Sequence, residues 1–140
     1  MFQYRQNING QDIDVIVKEK CNLICKAVKK SKTSLKINDY PAVAVGCYRN
    51  NNNRLFVETT KSQKDYARTP NLEQALNGIG GIGTIQNGNV VGGCAEPKAA
   101  FEVIINHQCN IADLRFSTAI RPRTKSKVKY CANCVKVFNL

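Results

Sequence analysis

The chain has 140 residues, 43% of them hydrophobic and 22% charged, enough for one domain with a single core and too few for two comfortable ones. Twenty-one Lys and Arg stand against ten Asp and Glu, a net charge of +11, and no acid follows Asp113; clustered positive charge of this kind points to a polyanionic partner through release of phosphate counterions. A membrane protein is not expected, because no run of about 18 apolar residues exists, and MFQYRQNINGQDID lacks the charged-then-apolar pattern of a secretory signal.

From Gln11 to Lys30, Ile13, Ile16, Val17, Ile24, Ala27 and Val28 recur at helical spacing with Lys18, Lys20, Lys26 and Lys29 between them. This predicts an amphipathic helix docked on a sheet. PAVAVGCYRNNNNRLFVETT predicts a hairpin, with a buried strand over Ala42–Tyr48, a loop at the Asn run and a second strand over Leu55–Thr59. Residues 61–93 read as irregular, apart from a short helix at Asn71–Leu76 and either a flexible active-site flank or a small Asn-Gly hairpin beyond it. Gly78, Gly80 and Gly83 spell GxGxxG there. A dinucleotide loop needs a strand before it and a helix after it, whereas NLEQALN precedes and TIQNGNVV follows, so no such site is expected.

Glu96–His107 predicts a buried helix through Ala99, Ala100, Val103 and Ile104, with Pro97 tolerated in the first turn. Leu114–Ile120 predicts a strand ending at Arg121-Pro122-Arg123, Lys125–Lys129 a basic loop, and CANCVKVFNL another short helix. His107, the only histidine, falls at a helix end, where a cap or surface role is expected.

Seven cysteines is a high and odd count, which fits metal or catalytic use better than a disulfide scaffold. Cys21, Cys25, Cys47 and Cys109 read as buried or incidental thiols. The other three fall at predicted helix starts, as Cys94-Ala95-Glu96 and Cys131-Ala132-Asn133-Cys134. A catalytic zinc takes three protein ligands and keeps a fourth position open, whereas a structural zinc is closed by four. A CxxC lets both sulfurs reach one ion from the first turn of a helix, whose N-terminus helps keep thiolates ionised. Cys94, Cys131 and Cys134 are therefore the candidate ligands of Zn2+, and Glu96 the candidate proton carrier. The alternative is a closed four-sulfur site in which Cys21 or Cys25 supplies the fourth ligand. Three thiolates on Zn2+ leave a formal charge of −1, so Arg121 or Arg123 is expected beside a ligating sulfur, unless the two contact phosphate or end a solvated strand.

The order strand, C-A-E helix, strand, C-x-x-C helix resembles the cytidine deaminase superfamily. The strings GGCAEPKAAFEVI and RPRTKSKVKYCANC are similar to its YwqJ-like branch of bacterial toxin deaminases, over about residues 40–140. Tyr130 stands where many of those enzymes carry Pro, and six residues follow Cys134 where many have two further strands. The resemblance implies a three-layer α/β fold, with a small mixed sheet flanked by helices that lacks its last strands or receives them from elsewhere. It implies Cys94, Cys131 and Cys134 on zinc, and Glu96 moving protons while an activated water attacks the base. Cytosine to uracil in DNA or RNA is the expected reaction. It further implies a toxin domain of a larger exported protein, acting in a target-cell cytoplasm and met by an acidic immunity protein. Lys125, Lys127, Lys129 and Tyr130, just before the CxxC, join Arg121 and Arg123 as candidate substrate contacts. Two other functions would use the same residues: deamination of free cytidine, which gives no reason for the +11 charge, and noncatalytic binding of nucleic acid by a zinc-stabilised module.

Overall fold

In chain order the elements are β1 (Tyr4–Asn7), α1 (Ile13–Ser31), β2 (Ala44–Arg49), β3 (Arg54–Thr59), α2 (Pro70–Asn77), β4 (Ile85–Gln86), β5 (Asn89–Val90), α3 (Ala95–His107), β6 (Leu114–Phe116), β7 (Ala119–Ile120), β8 (Lys127–Val128) and α4 (Ala132–Phe138). They come from a computed structural model that describes residues 3–31, 34–60 and 69–140. The β2–β3 hairpin is the centre of the arrangement. Its turn uses Asn51 at φ +67°, a conformation asparagine tolerates, and the Asn52 side chain accepts the Arg54 amide at 2.9 Å.

Alternation along the hairpin sends Val45, Cys47 and Phe56 to one face and Ala44, Leu55 and Val57 to the other, and both sets are buried. A sheet buried on both faces needs a helical layer on each. α1 covers the second face with Ile16, Val17, Cys21, Ile24 and Val28, at the spacing of one helical stripe. The first face packs against α2 and α3, with Tyr130 and the α4 residues Val137 and Phe138 at its margin. The expected α/β class is met, with α1 on the face of the sheet opposite α2 and α3.

The six-stranded sheet runs β1-β3-β2-β7-β8, with β6 also paired to β2. Every described pairing is antiparallel, which corrects the expected mixed sheet. β3 and β6 run in the same direction, but β2 lies between them, so no parallel ladder forms. The strand expected over Leu114–Ile120 is two strands, broken at Ser117-Thr118. The Ser117 amide donates to Gly46 O and the Gly46 amide to Ser117 Oγ, both at 2.8 Å. Thr118 donates through its amide and its hydroxyl to the two oxygens of Asp14 on α1, each at 2.8 Å. The expected basic loop contains β8, where Lys127 pairs with Ile120 and Val128 with Ala119. β1 was not foreseen; its polar YRQN joins β3, with Arg5 5.2 Å over the Phe56 ring and 3.1 Å from Glu102. The β4–β5 connection is the Asn-Gly hairpin, with Asn87 at φ +52° and Gly88 at φ +78° as a tight two-residue turn requires.

Among the described residues no helix is long and apolar enough to cross a membrane. α3 is buried at every residue from Ala95 to Ile104, so its polar side chains need partners; Lys98 Nζ donates to Thr60 O at 2.7 Å.

Gly46 has no side chain because α1 passes directly over it. A Cβ there would lie 3.0 Å from Leu55 Cδ1 and 3.0 Å from Val17 Cγ2. Gly46→Ala is expected to cost about 1–3 kcal/mol through overpacking, read as a lower urea midpoint at unchanged slope. An unchanged midpoint would show that Val17 and Leu55 give way freely.

Candidate metal centre

Two helices begin at cysteines. Cys94 precedes α3 with extended backbone (φ −71°, ψ 165°) and Cys131 precedes α4 in the same way (φ −68°, ψ 154°). Neither side chain caps its own helix, so each sulfur can turn toward the other. Cys131 Sγ lies 2.9 Å from Cys94 Sγ and 3.2 Å from Cys134 Sγ, and all three sulfurs fall within 4.8 Å of one another. All seven cysteines are free thiols. This three-sulfur cluster, named from sequence spacing alone, could hold a metal ion.

Glu96 sits in the first turn of α3, 3% exposed, with Oε2 accepting from Cys134 Sγ at 3.3 Å. Burial raises its pKa above the ordinary carboxylate value. The thiols share charge unequally. Hydrogen bonding with Cys134 and Cys94 holds Cys131 down to about 3. Its hydrogen bond to Cys131 pushes Cys94 up to about 12, and the same interaction with Cys131 raises Cys134 strongly. Among the described residues no basic side chain is one of the chief groups acting on these four acids. Ionising all of them together therefore calls for a cation in their midst. Soft thiolate donors converging from two helix starts suit zinc, and three of them leave room for a fourth ligand.

The four-sulfur alternative finds no support among the described residues. Cys21 is buried in the α1 core across the sheet, and Cys25 donates to Pro122 O at 3.3 Å. Cys47 and Cys109 are buried under α3, outside the cluster. His107 ends α3 edge-on to Phe56, ring centroids 5.9 Å apart, in a packing role.

The structure shows the two arginines, Arg121 and Arg123, in a separate cleft with Tyr40 and Pro41 and, among the described residues, not in a hydrogen bond to sulfur. Backbone amides of Asn133 and Cys134 face Cys131 and offset part of its charge. Lys127 and Lys129 are exposed, while Lys125 is half-buried and its charge acts on Cys21. Tyr130 is tied inward, its hydroxyl donating to Ser117 O at 2.6 Å. The largest cleft described, about 610 Å³ between β6 and the end of α4, contains neither thiol nor carboxylate.

Sequence reasoning missed Asn133. Lying between the two CxxC cysteines and 2% exposed, it donates to Gln86 O at 3.0 Å and Asn89 O at 3.4 Å and accepts from Asn87 Nδ2 at 2.9 Å. Asparagine alone offers both an acceptor and two donors in so short a side chain. The available signal was an Asn inside the CxxC together with an Asn-Gly turn upstream. The ligand loop is thus held by the β4–β5 hairpin on one side and by the sheet, through Tyr130, on the other.

Comparison with protein-family models, with curated proteins and with solved structures gives no match for this chain.

Asn133→Ala is expected to keep the helical content while weakening zinc binding about 10–100-fold, as loss of a group that orients metal ligands does, in competition with a chromophoric chelator. Cys94 and Cys134 hold their protons at neutral pH, so zinc uptake must displace protons and the apparent affinity should rise with pH. A pH-independent affinity would mean that these thiols are not the ligands.

Proposed function

We propose that the chain is a zinc-dependent hydrolytic nucleobase deaminase, converting cytosine to uracil in a nucleic-acid strand. One observation carries this reading: a buried carboxylate, Glu96, faces a cluster of three sulfurs, with no fourth sulfur joining them among the described residues. A structural zinc knot has no use for such a carboxylate, whose burial costs free energy unless function repays it.

Cys94, Cys131 and Cys134 would hold the ion. When bound, zinc supplies the Lewis acidity that makes water a competent nucleophile near neutral pH. Glu96 does the proton work. It accepts a proton as the water oxygen adds to C4 and passes it to the ring nitrogen, then takes the proton left on that oxygen and delivers it to the exocyclic amine as the C4–N bond breaks. Ammonia leaves and a C4 carbonyl remains, so one water is consumed and no redox partner is needed. Burial raises the Glu96 pKa toward working pH, which suits a group that must both take and give a proton.

The resemblance to the cytidine deaminase superfamily adds to this, with α3 following the C-A-E cysteine and α4 the first CxxC cysteine, although three short strands lie between them where the resemblance implies one. The acid-free stretch after Asp113 supports a polymeric substrate over a free nucleoside. A base in a strand must be unpaired or flipped out before it reaches such a site. The toxin role, delivery within a larger exported protein, action in a target-cell cytoplasm and neutralisation by an acidic immunity protein complete the proposal on the strength of the same resemblance.

Glu96→Gln is expected to retain one zinc per chain while deamination falls at least about 10²–10⁴-fold. Sequencing nucleic acid from cells expressing the wild type should reveal C-to-T changes that the variant abolishes. A-to-G changes would reassign the base, and equal changes in both proteins would end the catalytic reading.

A further inference from the structure

The two arginines absent from the sulfurs are held elsewhere by the course of the backbone. Between them Pro122 is buried and its carbonyl accepts from Cys25 Sγ at 3.3 Å, so the flanking Arg121 and Arg123 both stand on the solvent side. The turn that carries them is closed, with the Lys125 amide donating to Arg121 O at 2.7 Å and the Arg121 amide to Ser126 O at 2.9 Å. The pairing of Ala44 with Ile120 brings this turn beside the segment that enters β2. The result is a cleft of about 220 Å³ walled by Ile37, Asn38, Tyr40, Pro41, Arg121 and Arg123.

Charge and shape narrow the ligand. No carboxylate lines the cleft, and the one acid in the neighbouring segment, Asp39, is turned back to accept the Lys36 amide at 2.8 Å. Among the described residues the ion pair present is Arg5 with Glu102, far along the chain from either arginine. Two guanidinium groups held on one stiff turn match the planar, bidentate recognition of phosphate. The half-buried Tyr40 ring and Ile37, 68% exposed, add an apolar wall on which a base can stack. A second cleft shares Asn38, Tyr40 and Ala42 and continues to Thr60, whose carbonyl is held by Lys98, two residues past Glu96 on α3. The groove therefore leads from the arginines to the chain segment fastened to the helix that carries the carboxylate.

We propose that Arg121 and Arg123 form a phosphate-binding subsite for a single nucleic-acid strand, with Tyr40 stacking on an adjacent base. It deepens the deaminase reading and rests on it for taking the strand as substrate; binding itself is tested without turnover. The experiment measures fluorescence anisotropy of labelled single-stranded DNA and RNA on the zinc-loaded full chain carrying Glu96→Gln, over a range of salt.

Arg121→Ala with Arg123→Ala is expected to weaken binding about tenfold or more and to flatten the salt slope by about 0.7 for each phosphate no longer neutralised. Arg121→Lys with Arg123→Lys should restore the slope but only part of the affinity, because charge returns without the bidentate fork. Tyr40→Ala should lower affinity at unchanged slope. Circular dichroism and zinc content of each variant should match the parent, since both arginines are exposed. Unchanged affinity and slope in the double alanine variant would overturn the subsite. Equal affinity for a nucleoside monophosphate and for the strand would overturn the strand assignment in favour of a terminal phosphate. A thymine-only oligonucleotide separates this inference from the catalytic one: if it binds through the arginines while no base is ever deaminated in cells, the subsite stands and the enzyme reading falls.

Discussion

The surroundings of the three sulfurs hang on the hydrogen bonds that join Gly46 to Ser117 across the sheet. They end β6 and begin β7, turning one expected strand into two short ones with a break between them. Ser117 O, freed from regular pairing by that break, accepts the Tyr130 hydroxyl and so fixes the residue before Cys131. On the opposite face Asp14 takes both donors of Thr118, clamping the break from α1. Buried hydrogen bonds of this kind contribute modestly when made, yet each leaves an expensive orphan when one partner is removed. The position of a metal ligand is thus coupled through two residues to a helix on the far side of the sheet.

α3 supplies the other half of the centre, and its burial explains why it can. A helix enclosed from Ala95 to Ile104 has little freedom to shift, and its charged side chains add fixed attachments, Lys98 to Thr60 and Glu102 to Arg5. Cys94 and Glu96 ride on that fixed axis. Cys131 and Cys134 ride on a short helix whose own core contribution is small, and they rely on Asn133 and Tyr130 for placement. An ion shared by both sets of sulfurs would join the rigid and the less rigid halves, so metal binding and folding free energy are linked here.

Much of this was legible in the sequence because it is local. The stripe Ile16, Val17, Ile24, Val28 marks α1 by its period, the Asn run marks the β2–β3 turn, and the spacing within Cys131–Cys134 marks a ligand pair. What escaped was set by partners distant in the chain. β1 is polar and is a strand only because β3 offers it an edge, and β8 is two residues long and depends on β7. Ser117 and Thr118 look like strand residues until Gly46 and Asp14 claim them. Counting charge placed Arg121 or Arg123 beside a sulfur, or else both on phosphate or at a solvated strand end. Counting left out the backbone amides that face Cys131 and the buried Pro122, on either side of which both arginines stand exposed.

The same displacement gives the molecule two kinds of positive field at one end of its sheet. Thr59, Ala44 and Ile120 lie in a row there, the last of β3, the first of β2 and the last of β7. Beyond that row the chain leaves the sheet. The amides at the starts of α3 and α4 face the sulfurs, and they act over a single turn. Guanidinium groups reach further and are free of a fixed acidic partner among the described residues. The helix-start amides thus serve the sulfurs, while the two arginines stay exposed beside the groove, where on the proposed reading they would hold a phosphate next to the reacting base.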